Sequence, residues 1–519
     1  MAIRRLCLSL ALIAAIPVGA QSHKEAQSLE EPDAPLSAIG WLSGIVQEPA
    51  DAAVQKPNDV ADNALPAEID TTTLDETDLD AVGLLPTSVT GFDPRLWGSS
   101  SSQVLAGLIT DLRTDLPPPL ARLLQRLLLA ELRPTIDSAT TDRLFLARVD
   151  RFLRQGALDH AQALLDRAGT QDPALFSRWF DISLLTDHDN EACARMLADD
   201  GLNATHPAQI FCLVRSGDWQ AADEVFVDGA TRFTPKQAAL LERFLDPEAA
   251  DGAPFLATPD RVTPLVFRLH QAIGEPLPAA ILPSAFAYSA LASTQGWKSR
   301  IDAAERLSRS RSIPRMLLLA IYSERSPAAS GGVWDRVAAV QKLENAIEAS
   351  DATAVANALP DAIQTMRRAE LEPALADLFA TDLLAFDLEG DAAQLAVRLG
   401  LMSDAYADAA RSSMFDPDTT NPLLGAIARD EMAGVTGTDT LEQAIVAGFA
   451  QNGAGAELDT LIAQGNIGEA ALRAITMLQD GASADPAQIE HGLAALRLAG
   501  FDDTARQMGL FITLMRATP

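Results

Sequence analysis

Gln155-Gly156-Ala157-Leu158-Asp159-His160-Ala161 is the stretch whose reading decides the fold. Gly156 supplies the left-handed turn that ends one helix, Leu158 opens the next, and Ala161 is small enough for that helix to approach its partner closely. The same order recurs at Ser216-Gly217-Asp218-Trp219-Gln220-Ala221-Ala222 and at Gln464-Gly465-Asn466-Ile467-Gly468-Glu469-Ala470. Shorter echoes stand at Gly400 with Ala405 and at Gly500 with Ala505. A chain that repeats this junction is built from paired, closely packed helices.

Working outward, residues from Ser99 to the C-terminus show short apolar-periodic segments punctuated by Gly, Pro, Asp and Ser. Helices are expected over 103–113, 119–132, 141–154 and 158–168. Aromatic residues make up only 5% of the 519-residue chain, Ala and Leu dominate, and β-branched runs are scarce, a composition suited to an all-α fold. The proline-rich interval 246–264 divides two expected helical-repeat arrays, 97–250 and 261–519, with a further break between Asp351 and Pro360.

Ala161, Leu165 and Pro173, and in part Ala222 with Phe226, resemble the second helix of tetratricopeptide repeats, in which Ala, a large apolar residue four later and a closing Pro recur. Phe145, Val149 and Phe152 fall at apolar positions of the preceding helix, but Arg148 stands where a Leu is usual. The resemblance covers about a third of the chain and implies a tetratricopeptide-like α-solenoid of stacked helix pairs that acts as a protein-binding scaffold. As a whole, the alanine-rich chain also resembles uncharacterised exported proteins of alphaproteobacteria.

The N-terminus reads as a signal peptide over residues 1–20. Arg4 and Arg5 precede the apolar run Leu6 to Ile16, and Val18-Gly19-Ala20 supplies a cleavage site after Ala20, which places the mature protein in the periplasm. No later run reaches the roughly 20 apolar residues of a transmembrane anchor. Residues 21–96 are acidic and rich in Pro and Thr, the composition of a largely disordered tether. Within it, residues 35–47 form a short amphipathic helix, with Leu36, Ile39, Leu42 and Val46 on one face and Trp41 and Ile45 on its flank, suited to docking on a partner or on the chain itself. Gly83-Leu84-Leu85-Pro86 and Phe92-Asp93-Pro94-Arg95-Leu96-Trp97 are expected to fasten this tether to the first folded helix. Beyond the leader the chain keeps two cysteines, Cys193 and Cys212, on segments able to fold back antiparallel, and a disulfide is expected in an oxidising compartment.

A formal charge of −31 opposes binding to nucleic acid, which needs Lys and Arg to displace counterions. No motif supports catalysis or a cofactor. The cluster Asp187-His188-Asp189-Asn190-Glu191 lacks the turn glycine and closing glutamate of a calcium loop, the histidines have no zinc spacing, and no Glu-Ser dipeptide marks a glycan-cleaving acid. Arg325, Ser330, Gly331 and Gly332 form a candidate ligand corner at a helix start, where Ser330 is a capping residue and the glycine amides face an anion or peptide carboxylate. Trp179, Trp219 and Trp297 sit at helical apolar positions and are expected in the core. The sequence therefore favours a non-catalytic periplasmic scaffold or adaptor for one or more envelope proteins. The alternative is an accessory protein that binds peptidoglycan or peptide directly.

Overall fold

A computed structural model describes residues 78–138, 141–202, 204–248, 253–417, 420–450 and 453–516. The regular structure of the described residues is helical, and no strand forms among them beyond an isolated bridge between Leu85 and Ala130. None of the helices is long and apolar enough to cross a membrane.

The first helices are α1 (Thr87–Thr90), α2 (Ser102–Asp111), α3 (Pro118–Leu129), α4 (Arg143–Gln155) and α5 (Leu158–Ala168). Next come α6 (Pro173–Leu185), α7 (Asp189–Ala198), α8 (His206–Ser216), α9 (Trp219–Gly229), α10 (Pro235–Leu245) and α11 (Pro264–Ala272). α4 packs on α2, from α5 to α9 each helix packs on its predecessor, and α11 then returns to α6. A 3-10 segment, Ser284–Leu291, bridges α4 and α6 to α12 (Trp297–Arg309). It leads on to α13 (Arg315–Tyr322), α14 (Val333–Glu348), α15 (Ala352–Arg368), α16 (Glu372–Leu384), α17 (Gly390–Met402), α18 (Tyr406–Arg411) and α19 (Pro422–Arg429). The last helices are α20 (Thr440–Phe449), α21 (Ala456–Ala463), α22 (Ile467–Leu478), α23 (Pro486–Leu498) and α24 (Asp502–Met515).

Local chemistry explains these boundaries. Pro at the first turn follows a capping Asp172 at α6 and a capping Asp485 at α23, and Thr234 with Gln237 closes a capping box on α10. Gly156 takes φ +90° between α4 and α5, and a Cβ there would lie 2.6 Å from Leu307, so the turn needs glycine for both its conformation and its packing. The equivalent alanines Ala161, Ala222, Ala470 and Ala505 are all fully buried. Gly400 departs from the expectation. It lies inside α17 rather than at a turn, and its lack of a side chain lets Ala409 come close, since a Cβ would sit 2.5 Å from the Ala409 methyl. Nor does Pro360 break a helix: α15 begins after the capping Asp351 and continues through the exposed Pro360 to Arg368.

The folded region does not end as an open stack. The helices nearest its start lie on those nearest its end: α2 and α3 contact α22, and α3 also contacts α24. Residues 78–96, within the segment expected as a tether, contribute to this junction, with Val82, Leu85, Phe92 and Leu96 buried. Gly468 donates its amide to the Leu96 carbonyl at 2.8 Å, Ser99 donates to Asn466 at 2.7 Å, and the Ser100 hydroxyl donates to Glu469 at 2.6 Å. The anchor around Trp97 thus reaches past the first helices to the last ones. Across the proline-rich interval, Glu275 pairs with Arg243 and accepts from the Leu256 amide at 2.8 Å, and Lys236 pairs with Asp260 at 2.5 Å, so the described part of this interval is pinned to α10.

Candidate interaction surface

Most of the polar chemistry inside the molecule holds helices together. Arg148, Arg151 and Arg154 recur every three residues on α4 and serve the carbonyls at the ends of α2 and α3. Arg148 donates to Leu128 at 2.7 Å and to Asp80 and Ala130 at 3.3 Å, Arg151 to Leu112 at 2.7 Å and Arg113 at 2.6 Å, and Arg154 to Thr110 at 2.7 Å. Helix C-termini carry partial negative charge, which suits guanidinium donors. Arg148, out of pattern for the tetratricopeptide resemblance, is only 2% exposed, and burial pulls it down to about 10, still charged at neutral pH. Arg122 on α3 reaches Asp377 of α16 at 3.5 Å, Asp404 after α17 at 3.3 Å, and Gln507 of α24.

The buried carboxylates are likewise engaged. Glu305 accepts from two of the Arg336 nitrogens, Nε and Nη2, at 2.7 and 2.6 Å, and from Tyr322 at 2.8 Å; Glu372 lies between Arg367 and Arg398. Asp189, in the acidic stretch at the start of α7, is buried against Arg215 at 3.0 Å and Arg268 at 3.1 Å, which explains that cluster as an ion-pair junction. Among the described residues no group of three or more His, Cys, Asp or Glu is placed to hold a metal. A void of about 10 Å³ beside α3, lined by Thr114, Gln125, Arg151, Gln155 and Arg311 among others, is the size of about one water. Burial pushes the half-buried Asp181 carboxyl up to about 7, against the opposing pull of Arg178 and Arg261. Burial alone pushes His160, stacked on Phe152, down to about 3.

The residues singled out from sequence fall in three places. Cys193 on α7 and Cys212 on α8 lie with their sulfurs 2.07 Å apart, forming a disulfide that ties the two helices. Leu36, Ile39, Trp41, Leu42, Ile45 and Val46 lie outside the described residues. Arg325, Ser330, Gly331 and Gly332 precede α14, where Gly332 rather than Ser330 occupies the capping position. The Gly332 amide donates to the Asp335 carboxylate at 3.2 Å, so the chain's own acid takes the place an anion would fill. Gln341 holds the turn through the Tyr322 and Arg325 carbonyls, both at 2.7 Å, and Trp334 packs on Trp297 with centroids 4.9 Å apart.

The tryptophans separate. Trp179 is buried at 6% exposure and Trp297 is half-buried, as expected of core positions, but Trp219 is 49% exposed. Its helix explains the difference. α9 packs chiefly on α8 and only lightly on α10, and it buries just Ala222 and Gly229. At 100° per residue, Trp219, Asp223 and Val227 share one side of α9, with Phe226 at its margin. Val227 is 64% exposed. The apolar periodicity of this segment was legible, but its missing partner was not. In comparisons with known proteins, no family model, no curated protein and no solved structure matches this chain.

Proposed function

We propose that this protein is a non-catalytic scaffold of the bacterial periplasm that binds another envelope protein, built as a tetratricopeptide-like stack of helix pairs. The exposed face of α9 carries the reading: Trp219 and Val227 stand in solvent on one side of a helix whose base is held firm. The Cys193–Cys212 disulfide ties α7 to α8, and α9 packs on α8, so this side is presented on a fixed support. Tryptophan at such a position supplies large contact area at low entropic cost, as in the anchors of protein interfaces. The leader sequence Arg4 to Ala20 supports export, and a disulfide suits an oxidising compartment.

The test is in-cell crosslinking with mass spectrometry on tagged full-length protein, beside a variant lacking residues 21–77. Stoichiometric capture of an envelope protein supports the scaffold, and loss of capture in the truncated form moves the contact to the N-terminal segment. Retention on purified peptidoglycan with no protein captured overturns it in favour of direct cell-wall binding.

A further inference from the structure

The α9 stripe has a charge pattern as well as an apolar one. Asp223 lies between Trp219 and Val227 on the same side of the helix, and Glu224 flanks that side, while Asp218 sits at the cap and Asp228 on the opposite side. Asp218 caps the helix through the Ala221 amide at 3.0 Å, and Glu224 accepts from Gln220 at 3.0 Å. The nearby cations are engaged elsewhere: Arg215 on Asp189 and Asn190, Arg232 against His206, Lys236 on Asp260. No ion pair among the described residues involves Asp223. A carboxylate in the middle of an apolar stripe gains most from a partner that brings a cation with its apolar surface, because removing it from water unpaired is costly.

We propose that the α9 face docks a basic amphipathic helix, whose apolar side covers Trp219 and Val227 and whose Lys or Arg pairs with Asp223. The spacing of Trp219, Asp223 and Val227 is that of a ridge along a helix surface, which packs into the groove of a second helix. A Lys or Arg over the Trp219 ring adds a cation–π contact. A second copy of this chain fits poorly, because it would bring Asp223 and Glu224 against the same two carboxylates of its twin. The chain's own amphipathic segment 35–47 fits poorly too, because no Lys or Arg occurs between Glu25 and Gln55. An anionic membrane is repelled by the same acids.

This inference rests on the scaffold reading and names the partner's chemistry. Its test uses the full-length protein, with fluorescence anisotropy of a labelled 18-residue Leu/Lys helical peptide and a Leu/Glu counterpart. The Leu/Lys peptide is expected to bind and the Leu/Glu peptide not to. Trp219→Ala and Asp223→Lys should each weaken binding about tenfold or more, as anchor truncations do. Asp408→Lys, the same charge change at an exposed site on α18, should leave it within about twofold, as surface changes away from a contact do. Equal weakening by Asp223→Lys and Asp408→Lys shows only general attraction to an acidic protein and overturns the proposal, as does binding of the Leu/Glu peptide or unchanged binding in Trp219→Ala. The same variants in the crosslinking experiment keep the two readings apart. Capture of a stoichiometric envelope protein that survives Trp219→Ala and Asp223→Lys leaves the scaffold standing and removes α9 as its surface, whereas no capture by any form removes the scaffold itself.

Discussion

α3 and α9 are helices of similar length with apolar residues at helical spacing, yet they end in opposite places. α3 buries Leu120, Leu123, Leu124, Leu127, Leu128 and Leu129, whereas α9 leaves Trp219 and Val227 in solvent. The difference lies in what arrives around each helix. α3 meets α22 and α24 from the far end of the chain, and its C-terminal carbonyls are served from α4. Among the described residues, α9 packs chiefly on its sequence neighbours α8 and, lightly, α10. An apolar pattern thus states what a helix offers for burial, and the supply of partners decides whether the offer is taken.

The comparison is most easily broken at α4. Arg148→Met should strip donors from the Leu128, Asp80 and Ala130 carbonyls and cost about 3–5 kcal/mol, read by urea unfolding, because removing a buried charged partner leaves its acceptors unsatisfied. A loss below about 1 kcal/mol would show that these bonds do not hold the α3 junction. Next in size is the disulfide. Replacing Cys193 and Cys212 by Ala should remove about 3 kcal/mol, the loop-closure value for a sequence separation of 19, with hydrogen exchange rising first in α7 to α9.

Gly468→Ala tests the contact between the two ends of the folded region. The added Cβ would lie 2.4 Å from the Trp97 ring, and about 1–3 kcal/mol should be lost, with part of it recovered in the double variant Gly468→Ala, Trp97→Leu. A smaller effect concerns pH. Because burial raises the Asp181 carboxyl to about 7, the folded state binds its proton more tightly than the unfolded chain does. Its contribution is full below pH about 4 and is lost as the pH rises toward 7. Asp181→Asn should flatten that slope and raise the midpoint of thermal unfolding at pH 8 by a few degrees, on the order of 1 kcal/mol. Trp219→Ala should change stability least, by within about 0.5 kcal/mol, in contrast to its effect on binding. A larger loss would place Trp219 in the core after all.

Helix content and the glycine turns at Gly156, Gly217, Gly465 and Gly500 were legible because they depend on backbone conformation and contacts within a few residues. The α5 boundaries, 158–168, were read as they stand. The pairing of Cys193 with Cys212 was legible for a similar reason, since one helix turn-back separates them. The candidate corner at Arg325 to Gly332 was placed correctly at a helix start, but the role of Asp335 depends on side-chain geometry that a residue pattern does not contain.

The amino-acid sequence by itself determined an acidic, helical chain, because propensity, turn chemistry and net charge act locally or as sums over residues. The tertiary structure alone decided that α3 lies against α22 and α24, that Arg148 serves three carbonyls, and that Trp219 stands in solvent. The first depends on contacts between residues hundreds of positions apart and the second on bonds across 18 to 68 positions, while the third turns on a partner that is not there, and helical periodicity is the same for a face that is covered and one that is not.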